Sequence, residues 1–333
     1  MKEYLLGLEF AGNKLLLKTD SEQIKELVSE YFAHHLCEKN SFFAQLKLWE
    51  KKIFSPIPSR AKLMLRYFGL KIFQAGGWSY FTDFSSYFLV APEGKNALGY
   101  ISSETLKKDQ GKFFTAIFLS FVIFELLRYQ GVFFLHCAGL VSPKRKIYLF
   151  PAGSRQGKST ITVYLVQQGF KCLSDDTIFI CQKNQELNFY GFHKPCHLPV
   201  NLFQKLSSSQ KLSPQISGED KIEIDLEELF PQSKLPSAKG EVVLIFPELK
   251  NQPQSRLQPL SKTQALVKLM EQSPFFYLNS RLAKIHIKTL SELVNNSQLW
   301  LLESSSDWLE QPEILLKLVE KAEQGWGYEA GTG

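Results

Sequence analysis

The stretch that most constrains this chain is Ile147-Tyr148-Leu149-Phe150-Pro151-Ala152-Gly153-Ser154-Arg155-Gln156-Gly157-Lys158-Ser159-Thr160. A short apolar run reads as a buried strand, and a turn-forming segment follows it. Residues 161–169 then read as a helix ended by Gly169 at its C-cap. Ala152-x-x-x-x-Gly157-Lys158-Ser159 fits the looser form of the phosphate-binding P-loop, with Ala152 where glycine is usual. The spacing has a physical reason. Backbone N–H groups of the loop and of the helix N-terminus converge on phosphate oxygens. Gly157 has no Cβ, so the backbone can approach them closely. Lys158 supplies a point charge at the β- and γ-phosphates and is expected to face solvent until nucleotide arrives. The Ser159 hydroxyl can ligate Mg²⁺. Arg155 and Gln156 fill loop positions that are often small, and the alternative reading of the motif is a lysine-tipped surface turn.

A chain of 333 residues has room for two domains, or for one large domain with an appendage. With 44% hydrophobic and 22% charged residues it reads as globular and soluble. A net charge of +6 suits an anionic ligand and does not by itself argue for nucleic acid. The five cysteines form no CxxC pair, which suggests a reduced, cytoplasmic setting. No long apolar run follows Met1, so no signal peptide is expected. The apolar run from Phe113 to Leu127 falls short of a bilayer span and carries Thr115, Ser120 and Glu125, so a helix buried between protein layers is expected.

Residues 4–18 alternate around Ala11-Gly12-Asn13 as a hairpin does, and Ser21 caps a helix to about Leu36 with Glu22, Glu26 and Glu30 on its outer face. Residues 41–102 are aromatic-rich and strand-like. His34-His35 near Cys37 reads as an exposed helix end. Residues 132–141 read as a strand or strand pair, and 170–174 as a short strand ending in Asp175-Asp176. One helix and one turn separate Lys158 from Asp175, so a right-handed crossover is expected to set 170–174 beside the P-loop strand. Both carboxylates then emerge at the phosphate end. The other reading of the pair is a solvated turn. Residues 177–183 and 186–192 read as a hairpin around Asn184-Gln185. His193, Cys196 and His197 tempt a zinc reading, but no second ligand pair stands at zinc-like spacing. Residues 204–218 read as a mobile loop, 221–225 and 242–246 as strands, and 299–303 as another. Helices are expected at about 261–272, 280–295 and 310–324, before a frayed tail at 325–333.

His136-Cys137-Ala138-Gly139, the Ala152–Thr160 loop, Gly169-Phe170 and Leu173-Ser174-Asp175-Asp176 together resemble the core of the HPr kinase/phosphorylase C-terminal domain. They are still more similar to its HPr-kinase-related relatives in the phosphoenolpyruvate-carboxykinase-like P-loop class. Phe192-His193-Lys194-Pro195 and Leu244-Ile245-Phe246-Pro247 resemble segments of the same relatives, so the likeness covers about 112–303. It implies ATP-dependent phosphorylation of a hydroxyl, usually a serine, with Mg²⁺. It also implies that Lys158, Ser159 and Thr160 hold the phosphates and metal. Asp175 would take the hydroxyl proton, Asp176 would bind the metal, and His136 would lie beside the transferred phosphate. Ala152 and Arg155 depart from residues that are commonly glycine. The glycine- and arginine-containing signature of true HPr kinases is not found, which weighs against HPr itself as acceptor and against the reverse phosphorylase activity.

The expected architecture is α/β: an N-terminal α+β region at 1–110, then a phosphoenolpyruvate-carboxykinase-like P-loop kinase domain at 111–325. The expected activity is transfer of the γ-phosphoryl of ATP, with Mg²⁺, to a hydroxyl of a protein or peptide. Asp175, His136 and Lys194 are the catalytic candidates, with Lys194 equally readable as a surface lysine. Residues Ala152, Gly153, Ser154, Arg155, Gln156, Gly157, Lys158, Ser159 and Thr160 would bind nucleotide, and Ser159 and Asp176 the metal. The alternatives are a kinase of a free serine-like metabolite, with a closed pocket, and a non-catalytic nucleotide-binding module. No nucleic acid and no membrane span are expected, and a homo-oligomer is compatible with the sequence.

Overall fold

The computed structural model describes residues 2–38, 40–206, 215–216 and 221–323. Most of the expected loop at 204–218 and all of the tail at 325–333 lie outside the described residues. The chain forms two compact units, the first from Met1–Phe133 with Pro274–His286 and the second from Phe134–Ser273 with Ile287–Gly333. The division expected at 110/111 falls inside the first unit.

The first unit is built on a nine-stranded sheet. Tyr4–Phe10 and Asn13–Thr19 pair as the alternation predicts, and Ala11 and Gly12 take the positive φ that a tight hairpin turn needs. The helix Glu22–Tyr31 starts where the Ser21 hydroxyl accepts from the Ile24 N–H, and it turns Ile24 and Val28 inward and Glu22, Glu26 and Glu30 outward. It ends earlier than expected, and a 3₁₀ turn, Ala33–His35, follows. His35 is not exposed: it is buried, stacked on Phe10 at 4.5 Å, with its Nδ1 bonded to the Glu9 carbonyl at 3.1 Å. Residues 113–128 form the expected buried helix, whose first seven residues are wound as a π-helix. No single helix among the described residues is long and apolar enough to cross a membrane. The run would pass by composition only together with Ser103–Gly111, from which it bends by 106°.

The second unit is a mixed α/β layer structure. Its main sheet runs in the order Ser237–Lys239, Glu186–Gly191, Thr177–Lys183, Val132–Val141, Ile147–Pro151, Val242–Leu249, Ser297–Ser304 and Arg256–Pro259. The strands Val132–Val141 and Ile147–Pro151 are apolar nearly throughout because both faces are covered. Ala138, Leu140, Tyr148 and Phe150 pack on the helix Lys158–Gln167 through Ile161 and Leu165. Leu135, Cys137, Ile147 and Leu149 face Ala265, Leu269, Leu290 and Leu293.

The strand Lys171–Ser174 joins the same sheet but not beside the P-loop strand. It pairs antiparallel with Val132–Val141, which also pairs antiparallel with Ile147–Pro151. The crossover helix therefore steps over one intervening strand, and the other edge of Ile147–Pro151 is taken in parallel by Val242–Leu249. The consequence for position survives. Cys137 faces Pro151, and Gly139 faces Ser174, so His136, the P-loop and the two aspartates gather at one end of the sheet. Gly191 keeps this end closed: a Cβ there would lie 1.8 Å from the Leu173 carbonyl oxygen.

Candidate functional site

The P-loop leaves the strand at Pro151 and returns as a helix at Lys158. Gly157 caps that helix at φ 85° and ψ 5°, a left-handed conformation that favours glycine. No side chain caps the helix there, so its first N–H groups are left to an outside acceptor. Arg155 also takes positive φ, at 65°, a conformation that favours glycine and costs a side-chain-bearing residue about 1–2 kcal/mol. Gln156 accepts from the Leu249 N–H at 3.1 Å and so anchors the loop to the neighbouring strand end.

Lys158 is not solvent-facing. It is 6% exposed, and its ammonium donates to the carbonyls of Ala152 at 2.7 Å and Gly153 at 3.0 Å. Burial lowers its pKa, against the pull of Asp176 and Asp175. The loop's own backbone thus holds the lysine within the cradle.

The two aspartates have separate surroundings, because adjacent residues on an extended end point apart. Asp175 is 7% exposed, and its Oδ2 accepts from the Ser159 hydroxyl at 3.1 Å. Burial first, and then the Asp176 charge, push its pKa up to about 6. Asp176 is bonded to His136 Nε2 at 2.9 Å, to Lys194 Nζ at 2.8 Å and to the Thr177 hydroxyl at 3.1 Å. Burial pushes its pKa up as well, but Lys194 and His136 together hold it well below the usual carboxylate range. The backbone fixes this cluster: Cys137 donates its N–H to the Asp176 carbonyl at 2.8 Å, and His136 to the Gln272 carbonyl at 2.9 Å.

A cavity of about 480 Å³ opens over the loop, the two aspartates and Lys194, while His136 sits behind Asp176 and is not part of the lining. Ser154, Arg155, Gly157, Lys158, Ser159 and Thr160 line it, as do Asp175, Asp176 and Lys194. Ala152, Gly153 and Gln156 lie on another hollow of about 340 Å³, bordered also by Lys268 and Gln272. Of the residues tried as a zinc set, Cys196 is buried in a small three-stranded sheet, and its neighbour His197 lines the main cavity. No group of three or more His, Cys, Asp or Glu side chains able to hold a metal occurs among the described residues. Mg²⁺ needs less, since it is commonly held by one or two carboxylates together with substrate phosphates. Ser159 and Asp175 are hard oxygen donors within hydrogen-bond distance, and the raised pKa marks a buried carboxylate short of positive charge, so the two fit such an ion.

Sequence reasoning missed Thr177, Leu249, Lys250, the serines 304–306 and Leu309. The strand ends that carry Leu249 and Ser304 reach the cavity because Val242–Leu249 and Ser297–Ser304 run parallel to the P-loop strand. The signal for them was the rule that ligands bind outside the carboxyl ends of parallel strands.

No family model and no curated protein matches the chain. Among solved structures, it is similar to the Hpr(Ser) kinase/phosphatase from Coxiella burnetii, at 14% identity over 58% of this chain and 99% of that one. The TM-score is 0.31, a level at which the likeness carries no structural argument.

Proposed function

We propose that the second unit is an ATP-dependent phosphotransferase of the HPr-kinase-like type that transfers the γ-phosphoryl to a hydroxyl, with serine of a protein or peptide as the acceptor class. One observation carries the reading. Around one cavity the chain gathers an uncapped helix N-terminus with a buried lysine, an undercompensated carboxylate–hydroxyl pair, and a second carboxylate ion-paired with Lys194 and hydrogen-bonded to His136.

In this reading the helix N-terminus and Lys158 bind the phosphates and offset the charge that spreads over the transferring group. Ser159 and Asp175 would hold Mg²⁺, which when bound neutralises phosphate oxygens. This reverses the division expected from the sequence, which gave the metal to Asp176. Asp176 accepts the hydrogen bond of the incoming hydroxyl and takes its proton, while Lys194 and His136 keep its carboxylate oriented. Lys194 then lies within reach of the transferred phosphoryl.

The test is a Mg²⁺ titration of single-turnover transfer from labelled ATP to a serine-peptide library, with nucleotide affinity measured alongside. Asp175→Asn is expected to raise the metal concentration needed for half-maximal rate. Asp176→Asn is expected to keep MgATP binding and slow transfer by about 10²–10⁴-fold. The opposite pattern restores the original division of roles. Wild-type protein that binds no nucleotide sinks the reading altogether.

A further inference from the structure

The cavity crosses the strand ends in a fixed order. The aspartates stand at one side, just past the end of Lys171–Ser174, and the P-loop stands in the middle, past the end of Ile147–Pro151. Beyond it, the ends of Val242–Leu249 and Ser297–Ser304 contribute Leu249 and the segment from Ser304 to Leu309. A molecule whose phosphates lie on the loop, and whose last phosphate points to the aspartates, must therefore extend its other end over these two strands.

Two apolar side chains wait there. Leu249 is 53% exposed and Leu309 is 39% exposed, and both line the cavity. Each is tied to the phosphate cradle by one hydrogen bond. The Leu249 N–H donates to Gln156 of the loop at 3.1 Å. The Leu309 carbonyl accepts from the hydroxyl of Tyr164 at 3.1 Å, and Tyr164 lies on the helix that opens with Lys158. The Tyr164 ring also meets Trp308 edge-on at 5.5 Å, which fixes the backbone before Leu309. Exposed leucines cost nothing remarkable singly, but two at the wall of a charged cavity, both registered to its anion cradle, offer apolar area where the rest offers charge.

We infer that Leu249 and Leu309 form the base-binding end of the site, covering the flat face of the base of a nucleotide whose phosphates rest on the loop. The inference rests on the phosphate-binding reading of the loop. An aromatic base is neutral and apolar on its faces, so it gains from leucine contact and would gain nothing beside Asp175 and Asp176. The pair selects for a base as such and makes nucleotide bind more tightly than bare polyphosphate.

The experiment compares ATP with inorganic tripolyphosphate, in calorimetric titrations at fixed Mg²⁺, on wild type, Leu249→Ser, Leu309→Ser and the double variant. Both side chains are substantially exposed, so the substitutions leave the core intact. Wild type is expected to bind both ligands, ATP more tightly. The double variant is expected to lose about tenfold in ATP affinity, and its tripolyphosphate affinity should stay within about twofold of wild type. Unchanged ATP affinity in the double variant overturns the inference, and so does an equal loss for both ligands. If wild type binds neither ligand, the phosphate reading itself has failed, and that result appears before any leucine is changed.

Discussion

Glu125 in the first unit and Asp175 in the second are both buried carboxylates whose pKa burial raises. Their neighbourhoods differ. Glu125 is paired with Arg128 one helical turn along, and Arg128 also donates to the Leu278 carbonyl at 2.7 Å. The two side chains are 0% and 1% exposed and face packed aromatic rings such as Phe275. Asp175 has a hydroxyl in place of a cation, a second carboxylate beside it, and a cavity of about 480 Å³ in front. Buried charge alone therefore does not mark a site. What marks one is charge left undercompensated next to space for a ligand.

The largest expected effect tests the closed pair. Arg128→Met should destabilise the protein by about 3–5 kcal/mol, because it strands Glu125 without its counter-charge. Adding Glu125→Gln should recover most of that loss. Chemical denaturation measures both, and a loss under about 1 kcal/mol for Arg128→Met alone would mean that Glu125 is held protonated rather than as a carboxylate.

Asp175 should behave in the opposite way. Its folded pKa of about 6 lies above the unfolded value of 3.8, so ionising it costs folding free energy. The favourable balance is complete below the unfolded value and is lost as pH rises through about 6. Asp175→Asn keeps an acceptor for the Ser159 hydroxyl and removes that cost. Without metal at pH 8, the variant should gain about 2–3 kcal/mol, and the gain should fade toward pH 4. A variant that melts below wild type at pH 8 would erase the contrast with Glu125.

The smallest of the three effects concerns His286, in the first unit. Its ring stacks on Phe133 at 4.4 Å, neither ring nitrogen has a partner, and burial, with Arg128 adding to it, lowers its pKa to about 3. Because the folded pKa is depressed, stability is complete above the unfolded value and is lost as pH falls toward about 3. Unfolding free energy should drop by about 2 kcal/mol between pH 7 and 5, and His286→Phe should flatten that slope. A slope unaffected by the substitution assigns the acid sensitivity elsewhere.

The parts of the second unit that were legible in the sequence are those that one local segment encodes. The strand–loop–helix, the hairpin at 177–191 and the Asp175-Asp176 pair are each fixed by neighbours a few residues apart. The strand order was not legible, because the strand that separates Ile147–Pro151 from Lys171–Ser174 comes earlier in the chain. The burial of Lys158 was missed because its partners are carbonyls, which every residue carries and no motif records. Leu249 and Leu309 were missed because long-range parallel pairing brings them to the loop. His35 was misjudged because its fate depends on Phe10 across the sheet rather than on its own helix end.

Gly191 touches no ligand group, and yet the position of Asp175 depends on it. Any side chain there collides with the Leu173 backbone, two residues before that carboxylate, and the nearest contacts are peptide atoms that cannot swing aside. Either Glu186–Gly191 or Lys171–Ser174 has to shift, and a shift of the latter carries both aspartates with it. In a genetic screen for lost activity, changes at Gly191 should therefore sort with those at Asp175 and Asp176. Screening alone would misfile this glycine as part of the chemistry. A crystal structure of an alanine variant, read for displacement of the carboxylates, separates the two meanings.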